Sequence, residues 1–240
     1  MTSRSPATSE TIAAAGLDGS AAALIDSLRR QPLLVVLRPP QPLAAVPLLE
    51  RLQALGLRHV EIAWQPSAGW SQQMGELIAH FPGLALGAAS ITSPAAVEAA
   101  MEAGCGYGVS PILDPELLAS ARSEAFTLVP GVMTPSEVHR ARQWGCALVK
   151  LFPAAPLGPG YWRRLEDPLG GVLPFCIAAG GLSLVDVNPW LAAGVDAVAL
   201  GSALLKGSSS VASGADHLDH AFDPAPLQAL LAGFKVGLGG

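Results

Sequence analysis

The run ALVKLFPA, residues 147–154, decides how this chain folds. Strands of a parallel sheet or barrel are covered on both faces, so they read as continuous apolar stretches. Lys150 is the single charge in this one. An ammonium placed there must find a partner or release its proton more readily than a free lysine does. A neutral amine in a dry pocket is a nucleophile, used most often to form a Schiff base with a carbonyl substrate. The same pattern also suits a structural lysine that snorkels to the rim or pairs with a carboxylate.

Seven further apolar runs flank it: 32–38, 59–64, 84–90, 107–111, 126–130, 174–180 and 197–202. Helix-like stretches lie between them at 42–56, 93–104, 134–145 and 184–194, and most end in glycine, as a left-handed C-cap requires. Gly56, Gly104, Gly145 and Gly194 each close a helix ahead of a strand, at gaps of 48, 41 and 49 residues. That spacing is about two βα units, as a (β/α)8 TIM barrel with a two-unit echo produces. An open doubly wound sheet is the competing architecture. It normally has fewer strands, and no G-x-G-x-x-G follows the first strand here. The expected fold is an α/β barrel over residues 19–240 as one domain. An extra helix at 20–32 would plug its N-terminal end, and another at 225–237 would pack back on the body. Residues 1–18 read as a disordered polar arm and 207–224 as a flexible insert.

Half of the 240 residues are hydrophobic and 14% are charged, so a large core is available. The net charge of −5 argues against nucleic acid as a partner, because neutralising phosphates needs clustered Lys and Arg. A small anion is still compatible, held by backbone N–H groups and one arginine. Cys105, Cys146 and Cys176 lie in or beside apolar segments without a C-x-x-C pair, which suits reduced thiols in the cytoplasm. His217 and His220 have a metal-like spacing but no further ligands, so no metal is expected. No apolar run reaches the roughly 18 residues of a membrane span.

Catalytic groups of such barrels collect at the C-terminal ends of strands. Arg38 ends the first run, Glu61 lies in the second, Ser90 ends the third and Lys150 lies in the sixth. A carboxylate inside HVEIAW has its pKa raised by burial and so suits proton transfer. A structural ion pair with Lys150 is the alternative, and both can hold before substrate binds. Gly180 and Gly181 end the seventh run, and Gly201 and Ser202 the eighth. Each pair alone reads as a tight turn. Together, on adjacent strands, they suggest a phosphate cradle.

The motifs VVLR (35–38), VEIAW (60–64), LGAAS (86–90), VSP (109–111), VPGVMTPSE (129–137), KLFPA (150–154), AAGGLS (178–183) and ALGSAL (199–204) together resemble one family. It comprises the class I aldolases of 2-keto-3-deoxy-6-phosphogluconate, its galactonate epimer, and 4-hydroxy-2-oxoglutarate. The resemblance implies a metal-free, cofactor-free lyase in which Lys150 forms the Schiff base and Glu61 shuttles protons. It assigns Arg38 and Ser90 to the pyruvate-like carboxylate or neighbouring oxygens, and Pro111 and Phe152 to the wall around the imine. Gly180, Gly181, Gly201 and Ser202 would take a distal phosphate. A homotrimer is implied as well, with a small 2-keto acid as the partner and no membrane.

Departures from the pattern bear on substrate more than on reaction type. Ala89-Ser90 replaces the usual Gly-Thr, and LRPP replaces LRG after the first strand. Gln65 stands where gluconate-type relatives carry arginine and galactonate-type relatives asparagine, and it is nearer in kind to the latter. Three readings follow: an aldolase of a phosphorylated 2-keto-3-deoxy sugar acid, an aldolase of unphosphorylated 4-hydroxy-2-oxo acids, and a non-catalytic sugar-phosphate-binding barrel. The last has no need of a buried amine and carboxyl, which are costly to desolvate.

Overall fold

A computed structural model describes residues 19–201, 204 and 223–236. The polar arm expected over 1–18, the insert up to residue 222, and Ser202, His217 and His220 lie outside the described residues. Helix α1 (Gly19–Arg30) leads into strand β1 (Leu33–Leu37), a 3-10 turn at Pro42–Ala45 and α2 (Val46–Ala54). Then come β2 (His59–Ala63), α3 (Trp70–His80), β3 (Ala85–Ala89), α4 (Pro94–Glu102), β4 (Gly108–Val109) and α5 (Pro115–Ser123). The second half runs β5 (Leu128–Val129), β6 (Gly131–Val132), α6 (Pro135–Gln143), β7 (Leu148–Leu151), β8 (Phe175–Ala179), α7 (Val187–Ala192), β9 (Ala197–Leu200) and α8 (Pro224–Val236). Between β7 and β8 only 3-10 turns, Ala155–Leu157 and Arg163–Leu165, cover the barrel.

All strand pairs are parallel, in the order β5-β4-β3-β2-β1-β9-β8-β7-β6. The two end strands are separated in the chain by Pro130 alone, which has no N–H to offer a ladder. β5 pairs with β4, β6 pairs with β7, and the Lys150 N–H donates to the Pro130 carbonyl at 2.8 Å. The nine strands therefore make a nearly closed barrel of eight staves, the fifth bent in two. Neighbouring staves follow chain order round the ring, which is the barrel and not the doubly wound alternative.

Side chains alternate between two layers. Leu33, Val35 and Leu37 of β1 join the layer beneath the helices, while Leu34 and Val36 face inward. The inward cluster also holds Ala21, Leu24, Ile25 and Leu28 of α1. This helix plugs the N-terminal end, as its amphipathic pattern implied. Ser27 Oγ meets His59 Nε2 at 2.8 Å there, and burial drives the His59 imidazole down to about 4. By the two-residue period of a strand, Glu61 shares the inner face with His59 and Ala63, and Lys150 shares it with Leu148. α8 returns to the outer layer through Leu227 and Leu231. The three cysteines are unpaired, with Cys105 and Cys176 buried and Cys146 half-buried.

The glycine echo has a definite structural basis. Gly56, Gly104, Gly145 and Gly194 have φ of +87°, +77°, +71° and +101°. At the first three, the residue after the glycine donates to a carbonyl five residues back: Leu57 to Leu52, Cys105 to Ala100, and Cys146 to Ala141. Val195 repeats this to Trp190 at 3.4 Å. These are Schellman stops. The helix α5 ends in the same way, with Phe126 donating to Ala121, but the left-handed residue is Ala125 at φ +54°. A side chain in that region costs about 1–2 kcal/mol, more than the extra unfolded-chain freedom of glycine, roughly 0.5–1 kcal/mol. Ala125→Gly should therefore stabilise the fold by roughly 0.5–1 kcal/mol in urea denaturation. An unchanged or lowered midpoint would contradict the strain argument.

Candidate active site

The C-terminal ends of β1, β7, β8 and β9 surround a cavity of about 190 Å³. Arg38, Lys150, Phe152, Gly180, Gly181 and Gly201 line it, and Val36, Ala179, Leu182 and Ala199 complete the wall. These last four are apolar and carry no chemical signal in the sequence. Larger clefts of 310 and 430 Å³ lie beside Trp70 and Trp162, and neither contains an amine.

Lys150 is 5% exposed, and its Nζ stands 4.9 Å from the centroid of the Phe152 ring. Glu61 is 1% exposed. No nitrogen–oxygen contact within 4.0 Å joins Glu61 to Lys150; among the described residues that distance is met only by the exposed pair Arg29–Asp26. Glu61 Oε2 has no hydrogen-bond partner among them. Burial pushes the Glu61 carboxyl up to about 7, against the opposing pull of Lys150 and Arg38. Burial likewise lowers the Lys150 ammonium, opposed by Glu61 and assisted by Arg38. Burial thus favours the neutral form of each group, in a place poor in water. One can serve as a nucleophile and the other as a carrier of protons.

The remaining residues fall into place unequally. Arg38 is exposed at the rim. The loop after it is tied by Gln65, whose Nε2 donates to the Pro39 carbonyl at 2.9 Å. Gln65 therefore acts on the loop's backbone. Ser90 follows β3 at φ +62°, half-buried and outside the cavity lining. Pro111 is also outside the lining, but its carbonyl presses on Gly131, where an added Cβ would lie 2.4 Å from the oxygen. Gly131 is the register partner of Lys150. Ser202 lies outside the described residues.

The glycines differ from one another. Gly180 and Gly181 have φ of +95° and +80°. A Cβ on Gly180 would come within 2.9 Å of the Phe152 ring, and one on Gly181 within 2.8 Å of Ala155 Cβ. The missing side chains there make room for protein neighbours. Among the described residues neither N–H donates to a backbone carbonyl, so both remain available to an anion. Of these three, only Gly201 has nothing among the described residues within 4 Å of an added Cβ.

The family model described as KDPG and KHG aldolase matches residues 24–218. The chain belongs to that family. It is 30% identical over 184 residues to 2-dehydro-3-deoxy-6-phosphogalactonate aldolase of Escherichia coli, covering 75% of this chain and 87% of that protein. It is 32% identical over 172 residues to 2-dehydro-3-deoxy-phosphogluconate aldolase of Pseudomonas aeruginosa, covering 71% and 77%. A solved structure described as native KDPGal superposes with a TM-score of 0.68 at 25% identity, covering 86% of this chain and 95% of the other. Aldolase chemistry is thus the general activity of this family, and both kinds of phosphorylated sugar acid occur among the relatives' names. No described helix is long and apolar enough to cross a membrane.

The Glu61 shift fixes the sign of a stability change. Between its ordinary 4.5 and about 7 the folded state binds more protons than the unfolded chain, so stability falls as pH rises through that window. At about 1.4 kcal/mol per unit, wild type should lose roughly 3 kcal/mol relative to Glu61→Gln between pH 4.5 and 8. Paired urea titrations of the two proteins measure this. A difference independent of pH would show that the carboxyl is not perturbed.

Proposed function

We propose that this chain is a class I aldolase that cleaves a 2-keto-3-deoxy-6-phospho sugar acid to pyruvate and glyceraldehyde 3-phosphate. The observation that carries the reading is the Lys150 amine, buried in the strand-end cavity and in the field of a Glu61 carboxyl pushed up to about 7. Lys150 Nζ attacks the C2 ketone to give a carbinolamine, which loses water to leave an iminium. Glu61 accepts the C4 hydroxyl proton through water as the C3–C4 bond breaks, and the bond's electron pair flows into the iminium to form an enamine. The aldehyde departs. Glu61 returns its proton to C3, and water releases pyruvate from Lys150.

Arg38 at the rim and the Ser90 hydroxyl bind the substrate carboxylate and neighbouring oxygens in this reading. Phe152 and Pro111 form the wall around the imine. The N–H groups of Gly180 and Gly181, with Gly201 and Ser202, hold the distal phosphate. Relatives acting on gluconate-type and galactonate-type phosphates support the substrate class. The free cysteines fit a reducing, cytoplasmic setting. The assembly is a homotrimer of the 24.5 kDa chain, which light scattering would test.

One observation favours a second reading, an aldolase of unphosphorylated 4-hydroxy-2-oxoglutarate. The space opposite Gly180 and Gly181 is already filled by Phe152 and Ala155, which narrows any anion cradle. Gly201→Asp separates the two, because no described residue stands within 4 Å of a Cβ added there. With a phosphate at this position, KM for phosphorylated substrate should rise at least about tenfold through charge repulsion, while turnover of the unphosphorylated acid persists. Preference for the unphosphorylated acid, indifferent to the added charge, would establish the second reading.

Lys150→Met keeps an apolar stem and removes the nucleophile, so a folded protein without cleavage activity is expected. Glu61→Gln should still form the imine but turn over at least about 10²-fold more slowly, the usual loss with a general acid–base. Normal turnover in either variant would overturn the assignment of that residue.

A further inference from the structure

Tyr107 is a buried polar residue that the cleavage scheme does not use. It immediately precedes β4, is 2% exposed and belongs to the inner cluster of the barrel. Its ring reaches across β3. A Cβ on Gly87 would lie 2.6 Å from ring atoms Cζ and Cε2 and 2.9 Å from Cε1, so the hydroxyl-bearing end of the ring sits over that glycine. Gly87 is the register partner of Glu61 on β2. The Tyr107 hydroxyl is thus carried from β4 over the one interior position that separates it from Glu61. Any side chain at 87 would collide with that ring.

Both ends of this arrangement are unsatisfied. The Tyr107 hydroxyl and Glu61 Oε2 are buried without a hydrogen-bond partner among the described residues. Buried polar groups in native proteins are nearly always satisfied, by water where protein offers nothing. The phenol stays protonated at all working pH values, because burial and the nearby Glu61 charge raise it well above 10. It is therefore a permanent donor facing a carboxylate whose charge is changeable. The other groups acting on Glu61 are Lys150 from β7 and Arg38 at the end of β1. His59 lies one inward position below it on the same strand and is bonded to Ser27, and Cys105 acts on Tyr107 from the turn before β4.

We propose that Tyr107 is a positioning residue for Glu61: its hydroxyl donates, through one bridging water, to the carboxylate oxygen that no described residue satisfies. This orients the carboxylate toward the cavity and favours its ionised form. The inference rests on the reading of Lys150 and Glu61 as an imine-forming pair. It gives the aldolase site a second-strand support that the identified motifs do not contain.

Exchange of the pyruvate methyl hydrogens in D2O, followed by NMR, tests it. Exchange needs the Lys150 imine and then proton removal by ionised Glu61, whereas borohydride trapping of pyruvate needs Lys150 alone. Tyr107→Phe keeps the ring against Gly87 and removes the donor. Loss of a donor to the ionised form raises the Glu61 pKa, so the acidic limb of the exchange profile should move up by at least about half a pH unit. Exchange near the limb should slow about threefold or more by the same shift, with KM for pyruvate and the trapping profile unchanged. In a Glu61→Gln background, Tyr107→Phe should have no further effect on exchange. An unmoved limb with normal trapping, or an equal loss in the Glu61→Gln background, would overturn the inference. Absence of trapping in wild type would instead overturn the aldolase reading beneath it.

Discussion

The structure turns on the burial of one amine and one carboxyl in the same barrel without a contact ion pair between them. Lys150 and Glu61 face inward from β7 and β2, nearly excluded from solvent and more than 4.0 Å apart. Had they met as a closed salt bridge, each would hold the other in its charged form, and the lysine would be poor as a nucleophile. Desolvation instead acts on each separately, raising the carboxyl to about 7 and lowering the ammonium, with their mutual attraction the smaller effect. The barrel maintains this separation because its interior is packed by strand-borne side chains, with α1 packed beneath and a cavity at the strand ends.

Most of this arrangement is legible in the sequence because the relevant signals are local contradictions. A charge inside an apolar strand is conspicuous, and Lys150 and Glu61 each provide one. The helix stops at Gly56, Gly104, Gly145 and Gly194 are equally visible, since each needs φ near +70° to +100° and uses the residue that tolerates it. The stop at Ala125 uses the same geometry without that residue, so α5 has no C-terminal marker. Helix α3 is obscured in a different way, by Gly75 within it and by few apolar positions, Met74 and Leu77 among them. The fifth stave reads as one run over 126–130, and only the ladder shows that it continues past Pro130 as β6.

The glycine-rich strand ends show why a motif is only half of a site. Gly180 and Gly181 tell the reader that a side chain is excluded, but they do not say by what. Phe152 and Ala155 occupy the space at those two positions, while Gly201 opens into the cavity. Gln65, marked in sequence as a substrate-distinguishing position, is engaged by the Pro39 carbonyl and steadies the loop behind Arg38. Tyr107 was hidden for the opposite reason. An aromatic residue at the head of an apolar run looks like core, and only its placement over Gly87 reveals the polar end directed along the inner wall.

The most direct measurement is the pH dependence of covalent capture at Lys150, using pyruvate, borohydride and mass mapping of the labelled peptide. The account predicts labelling confined to Lys150 that reaches half its maximum below 10.5, the ordinary value for a lysine side chain. Labelling that follows an unperturbed lysine, or that lands on other residues, would contradict it.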